Sequence, residues 1–248
     1  MTNYNPSQYL TLFRLRVLAG LQYRAAALAG IATQFAWGGL LVLLYRAFYE
    51  ADPSAFPMSL QSTCSYIWMQ QAFLAIFMTW GMEGTPISLI RNGDVSYELC
   101  RPVDLYWMWF TRECAYRLAK AVLRCMPIIL FAALLPTPYG LRIPGWSELG
   151  LFLLSGLLAL FNIAALGMLI NVSTFFTLDA TGIRSLLTSA VDFLSGGLVP
   201  LPFLPAGLGQ VLAILPFAGM ENTPLQMFNG ELTGLAAVEA LLLQLFWA

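Results

Sequence analysis

Glu83-Gly-Thr-Pro-Ile-Ser-Leu-Ile-Arg-Asn-Gly-Asp-Val-Ser-Tyr-Glu-Leu-Cys-Arg-Pro-Val-Asp104 is a polar island in a chain of 248 residues that is only 10% charged. Glu83, Arg91, Asp94, Glu98, Arg101 and Asp104 concentrate charge there, and apolar segments long enough to cross a bilayer lie on both sides. A membrane protein with so little water-soluble chain must meet soluble partners through what it has, so 83–104 is the expected partner site. Composition sets the class. Hydrophobic residues make up 59% and aromatic residues 14% of the chain, whereas a soluble domain carries about 25% charged residues. The expected fold is an all-α integral membrane protein, a single domain over 1–248.

Working outward from the island, six apolar stretches approach the ~20 residues that cross a hydrocarbon core. They run about Ala25–Leu44, Cys64–Met82, Leu105–Leu135, Leu149–Phe175, Ile183–Val199, and from Leu232 to the end at Ala248. The last is marginal in length, so the natural protein is expected to continue. Basic residues give the orientation, because cytoplasmic loops retain Lys and Arg. Arg14, Arg16, Arg24, Arg91, Arg101, Arg112, Arg117, Lys120, Arg124 and Arg184 fall on one side of an alternating six-span arrangement, and only Arg46 and Arg142 on the other. Both termini, and the island, are therefore expected in the cytosol. Before the first span, residues 6–24 carry Leu10, Phe13, Val17 and Leu21 at three- and four-residue steps. That spacing predicts an amphipathic helix lying in the inner interface.

The third stretch exceeds what a span needs. Within it Glu113, Arg117, Lys120 and Arg124 form one polar stripe, with Glu113 placed four residues ahead of Arg117 as a helix ion pair prefers. The stripe reads either as a solvated face on a helix projecting into the cytosol, or as a vestibule lined by Lys120 and Arg124. Trp107 and Trp109 are expected as interfacial anchors. After the fifth stretch, Gly196, Gly197, Pro200, Pro202 and Pro205 break the helix repeatedly, and Pro216 follows a short apolar run. Such a segment is expected to form a re-entrant helical hairpin over 196–217 on the outer side, an outer lid or gate. Irregular backbone persists at membrane depth only where protein or a water-filled cavity satisfies it.

Several chemistries are excluded. The chain has no histidine, hence no imidazole-based triad or relay. Its one lysine, Lys120, does not follow a glycine-rich loop, so no phosphate loop for ATP exists. Cys64, Cys100, Cys114 and Cys125 show no metal-binding spacing, and three of them fall on the cytosolic side, where disulfides are rare. Asp192 is the one carboxylate read as lying well inside a span, and ionisable groups at that depth usually face a bundle interior or a path.

With Ile90-Arg91-Asn92-Gly93-Asp94 followed by Leu99-Cys100-Arg101-Pro102, the chain resembles the permease subunits of type-2 ABC exporters, in particular a subgroup of small bacterial permeases. Cys100 departs mildly, standing where that subgroup commonly has leucine. The resemblance implies that separate ATPase subunits, which bind ATP and Mg, dock beneath the bacterial cytoplasmic (inner) membrane. It implies a second permease chain enclosing the path, and a coupling helix within 83–104. Glu83, Ile87, Ile90, Arg91, Gly93, Asp94, Arg101 and Pro102 are the expected coupling residues, with apolar Ile87 and Ile90 filling a cleft on the partner. Asp192, Lys120 and Arg124 are expected along the translocation path, and Gly196, Gly197, Pro200, Pro205 and Pro216 at the outer gate. No cofactor is expected in this chain, no nucleic acid as partner and no catalysis of its own. The alternative is a secondary transporter or channel driven by an ion gradient, which would need ionisable groups at mid-membrane.

Overall fold

The computed structural model describes residues 6–248, and every regular element among them is helical. α1 (Pro6–Gly20) starts on a proline, where the missing N–H costs nothing. Its expected apolar stripe is only partly the packed face. Tyr9, Leu12 and Phe13 pack inward, while Leu10, Leu15 and Leu18 are exposed, so apolar residues ring the helix. A short turn leads to α2 (Arg24–Ala51), which buries Ala27, Ile31, Gln34, Gly38, Val42, Tyr45 and Tyr49. Those positions recur at three- and four-residue steps, the mark of a helix with one packed stripe.

The second apolar stretch does not form one helix. α3 (Leu60–Ala72), capped by the Ser59 side chain on the Ser62 N–H, breaks at Phe73. α4 (Leu74–Phe77) follows and ends where Met78 turns extended. α5 (Thr85–Asn92) and α6 (Val95–Leu99) form the polar corner that follows. α7 (Leu105–Leu134) is a single helix carrying Pro127 in its interior, and Asp104 caps its first turn by accepting the Trp107 N–H at 3.0 Å. Gly20 lets α1 approach α7, since a methyl group there would lie 2.6 Å from Ala119 Cβ.

α8 (Trp146–Thr177) runs through the middle of the fold against α4, α5 and α7. Its buried face is small-residue rich at Ser155, Ala159, Ala164 and Gly167, which lets neighbours come close. α9 (Thr181–Leu194) ends at Gly196, φ +93°, and Gly197. A 3-10 turn at Leu201–Phe203 brings Phe203 onto Tyr45 and Phe56, beside the C-terminal end of α2. α10 (Ala206–Ile214) then runs back until the Ile214 carbonyl meets the Trp247 indole N–H at 3.1 Å. α11 (Pro216–Met220) and α12 (Asn222–Phe228) return, and the Asn229 carbonyl accepts from Arg142 in the α7–α8 connection. The return over 196–229 is thus a helical hairpin whose second arm lies beyond the expected limit at 217. α13 (Gly234–Trp247) closes the chain against α8, with Gln244 bonded to Ser155 and to the Gly219 carbonyl. Of these helices, α2 and α8 are long and apolar enough to cross a membrane, and α13 is a shorter apolar helix.

Candidate functional site

The polar corner is fixed by a charge network on α7. Arg112 donates from Nη2 to Glu83 Oε1 at 2.8 Å and from Nη1 to Glu98 Oε1 at 3.0 Å. Trp109 Nε1 donates to the other Glu98 oxygen at 2.5 Å. One turn further along, Arg117 Nε meets Glu113 Oε1 at 2.6 Å, and Glu113 Oε2 accepts the Glu83 backbone N–H at 2.8 Å. Arg117 Nη1 also donates to the carbonyls of Ile76 and Met78. Glu113 and Arg117 are 2% and 1% exposed, which overturns the reading of the stripe as a solvated face.

The break after α4 now has a cause. A helix end leaves carbonyls without intrahelical partners, and buried ones must find donors. Arg117 supplies the donors, its charge favoured at a helix C-terminus. Glu113 neutralises that charge and passes a bond to the backbone just ahead of α5. One ion pair on α7 therefore ties the end of the membrane segment to the start of the polar corner.

Within the corner, Pro86 and Ile90 are buried, Ile90 against Met108, Trp109 and Met168. Ile87 packs beside Met82, Ile170 and Ala180. The two isoleucines expected to fill a partner's cleft thus serve the chain's own core. The face left open carries Arg91, Asp94, Arg101 and Pro102, and also Tyr97 (75% exposed) and Leu99 (61%). Gly93 caps α5 at φ +80°, donating its N–H to the Ile90 carbonyl, and nothing lies within 4 Å of where a Cβ would be. Its requirement is conformational rather than spatial. Asp179, in the α8–α9 turn, caps α9 through the Thr181 hydroxyl and N–H at 2.6 and 2.9 Å. Those bonds, with Arg91 adding a smaller pull, hold its carboxyl below the usual range. Tyr9 of α1 reaches the far side of the corner, its hydroxyl accepting the Asp104 N–H at 3.1 Å.

The residues expected along a path fall into two cavities. Lys120 and Arg124 line one of about 420 Å³ between α1, α2 and α7. Asp192 lines another, about 270 Å³, with Trp37, Gln70, Trp80, Gly197 and Glu221. Glu221 is buried at the α11–α12 junction and accepts from Gln70 Nε2 at 2.8 Å and Ser195 Oγ at 3.1 Å. Gln70 Nε2 also donates to the Gly197 carbonyl at 2.7 Å. A methyl at Gly197 would sit 2.9 Å from the Asp192 carbonyl and 3.0 Å from Glu221 Oε2, so glycine is what lets the end of α9 close on the hairpin. Pro200 is buried ahead of the 3-10 turn, Pro205 precedes α10 and Pro216 opens α11.

Trp109 is not an interfacial anchor: it is 3% exposed, stacked on Phe175 and bonded to Glu98, whereas Trp107 remains 45% exposed. Sequence reasoning missed Glu98, Arg112 and Glu221 as site residues. The one available signal was a carboxylate, Glu221, isolated between apolar helix-breaking segments.

Long apolar helices around a charge-locked polar corner define a helical membrane protein. The family model described as ABC-2 family transporter protein matches residues 35–248, and the chain belongs to that family. It is thus an ABC permease, a multi-pass transport component whose family partners are ABC ATPase subunits and the membrane. No curated protein and no solved structure matches it significantly.

Proposed function

We propose that this chain is the membrane-spanning subunit of an ATP-driven exporter in the bacterial cytoplasmic membrane. The observation that carries the reading is the α5–α6 corner, held to α7 by Arg112 and Arg117 while presenting Arg91, Asp94, Tyr97, Leu99 and Arg101 outward. A surface of this kind suits a soluble partner. Tyrosine and arginine dominate interface energetics, and the buried network transmits displacement of the corner to α7. In this reading α2, α3–α4, α7, α8, α9 and α13 make six crossings, with both termini and the corner in the cytosol. The α10–α12 hairpin dips in from the outer face. A second permease chain completes the path, and the ATPase subunits bind ATP and Mg. Asp192 and Glu221 mark the path at the bilayer centre.

Co-purification and reconstitution test the assignment. An associated ATPase and ATP-dependent transport are expected; transport that proceeds without ATP and collapses with an uncoupler assigns the chain to gradient-driven transport instead. Gly93→Val forces a β-branched residue toward a left-handed conformation that costs roughly 1–2 kcal/mol. Because the corner is exposed there, folding is expected to survive while transport-stimulated ATPase activity falls. Equal stimulation in variant and wild type removes Gly93 from the coupling role. Among the described residues the Asp192 carboxylate receives a single long hydrogen bond, 3.4 Å from the Thr79 hydroxyl, so Asp192→Asn is expected to preserve folding and change the transport rate. Normal transport by that variant takes Asp192 out of the path.

A further inference from the structure

The cavity of about 420 Å³ between α1, α2 and α7 has a charge imbalance that the proposed function does not use. Arg16, Arg112, Lys120 and Arg124 line it, against the single carboxylate of Glu83. Glu83 is bound to Arg112, as is Glu98 from behind. Among the described residues, then, Arg16, Lys120 and Arg124 have no carboxylate at ion-pair distance. Lys120 donates to the Tyr116 hydroxyl, and its ammonium lies 3.8 Å from the Tyr116 ring centre.

Arg124 carries the argument furthest. Its Nε is shut off from solvent with no hydrogen-bond partner. The guanidinium lies flat against Gly30, where a methyl group would sit 2.5 Å from Cζ and 2.8 Å from both Nε and Nη1. Gly30 is six residues into α2, about 9 Å along its axis, near the base of an apolar helix. Leaving a buried donor unpaired costs about 1–3 kcal/mol, and three uncompensated cations in one concavity repel each other. An anion in the cavity relieves that repulsion and offsets the charge on a guanidinium whose buried Nε has no partner of its own. A guanidinium fork matches the paired oxygens of a phosphate, and an ammonium supplies a point charge beside it. The remaining walls, Ala19, Ala26, Ala27 and Leu123, are apolar, so the ligand they suit has an anionic head and a carbon-rich stem.

We infer that this cavity binds a phosphate-type anionic headgroup, with Arg16, Lys120 and Arg124 as its cationic ligands. An acidic phospholipid of the adjoining leaflet and a soluble phosphate ester share that chemistry. The full chain, purified with its associated ATPase, is tested by native mass spectrometry and thermal melting. The probes are phosphatidylglycerol, phosphatidylcholine and glycerol 3-phosphate. Phosphatidylglycerol is expected to be retained preferentially and to raise the melting temperature. Losing one charge-assisted contact in Arg124→Gln should weaken that retention about tenfold or more. Lys120→Gln should act in the same direction. Arg16→Gln, on the exposed side of α1, carries the test if the α7 variants fail to fold. A response to glycerol 3-phosphate equal to that of the lipid supports the anion site and assigns it to a soluble ester. Equal retention of phosphatidylglycerol and phosphatidylcholine by the wild type, with no response to the ester, overturns the proposal. So does unchanged retention in the folded variants. Binding is read without transport, so this result is independent of whether ATP drives the permease.

Discussion

Arg117→Ala is expected to be the most damaging single substitution in the chain, lowering stability by about 3–5 kcal/mol, the usual cost of removing one partner of a buried ion pair. The wild-type side chain does two things at once. It neutralises Glu113, 2% exposed, and it donates to the Ile76 and Met78 carbonyls where α4 ends. Alanine leaves a buried carboxylate without its counter-charge and two carbonyls with one donor fewer. The measurement is thermal unfolding of the detergent-purified protein, together with yield in the membrane fraction. Arg117→Ala combined with Glu113→Gln separates the two roles, because it removes the stranded charge and keeps the carbonyl defect. The double variant should be more stable than Arg117→Ala alone, and with Glu113→Gln measured as well the double-mutant cycle yields the interaction energy of the pair. If Arg117→Ala melts like wild type, the pair is not what holds α4 to α7.

Arg112→Ala is expected to have the second largest effect, and mainly on coupling. Arg112 bridges Glu83, at the base of the corner, and Glu98 in α6, so its loss leaves the Glu83 carboxylate without its counter-charge and Glu98 held by Trp109 alone. Glu98→Ala makes the complementary cut, releasing α6 from Arg112 and Trp109 while leaving Glu83 paired. Hydrogen bonds involving a charged group contribute about 1.5–3 kcal/mol each. Arg112→Ala should therefore reduce both stability and ATP-coupled transport, and Glu98→Ala should reduce transport with a smaller stability loss. The decisive readout is ATPase turnover of the assembled complex with and without transport substrate. Full stimulation in a folded Glu98→Ala complex would mean that α6 need not be tethered for coupling.

Long helices were legible from the sequence, as were the interruptions marked by Gly and Pro at 196–205 and 216; the interruption at Phe73 was not. α8 emerges within a few residues of its expected limits because an apolar run of that length favours a membrane helix, and α7 does so between its Asp104 cap and Pro136. The break at Phe73 carries no Gly or Pro to announce it. A few residues on, where α4 ends, Arg117, far along the chain, supplies donors to the Ile76 and Met78 carbonyls, and such tertiary compensation leaves no local trace. The spacing of Glu113 and Arg117 was visible, but which way that stripe faced was not, since i and i+4 pairing looks the same on a solvated and on a buried face. Ile87 and Ile90 show the same ambiguity: apolar residues in a polar island suit a partner's cleft or the chain's own core, and packing against Met82 and Met108 decides it. Glu98 and Glu221 take their roles from Arg112 and Gln70, in other helices.

Pro127 gives α7 a mechanical asymmetry. The thirty residues of this helix would measure about 45 Å end to end, and proline removes one rung of the ladder and crowds the turn before it. From Leu105 to Leu123 the rod is intact and bolted on several sides, by Glu83, Glu98 and the carbonyls behind α4. Beyond that it has a soft joint, close to Ile128 and Ala132, which are fully enclosed. A push delivered at the polar corner would therefore move the long segment of α7 before Pro127 as a stiff lever arm and be absorbed as bending near Pro127. The short segment beyond Pro127, with the Arg142 anchorage in the connection that follows, then serves as the fixed end of the lever.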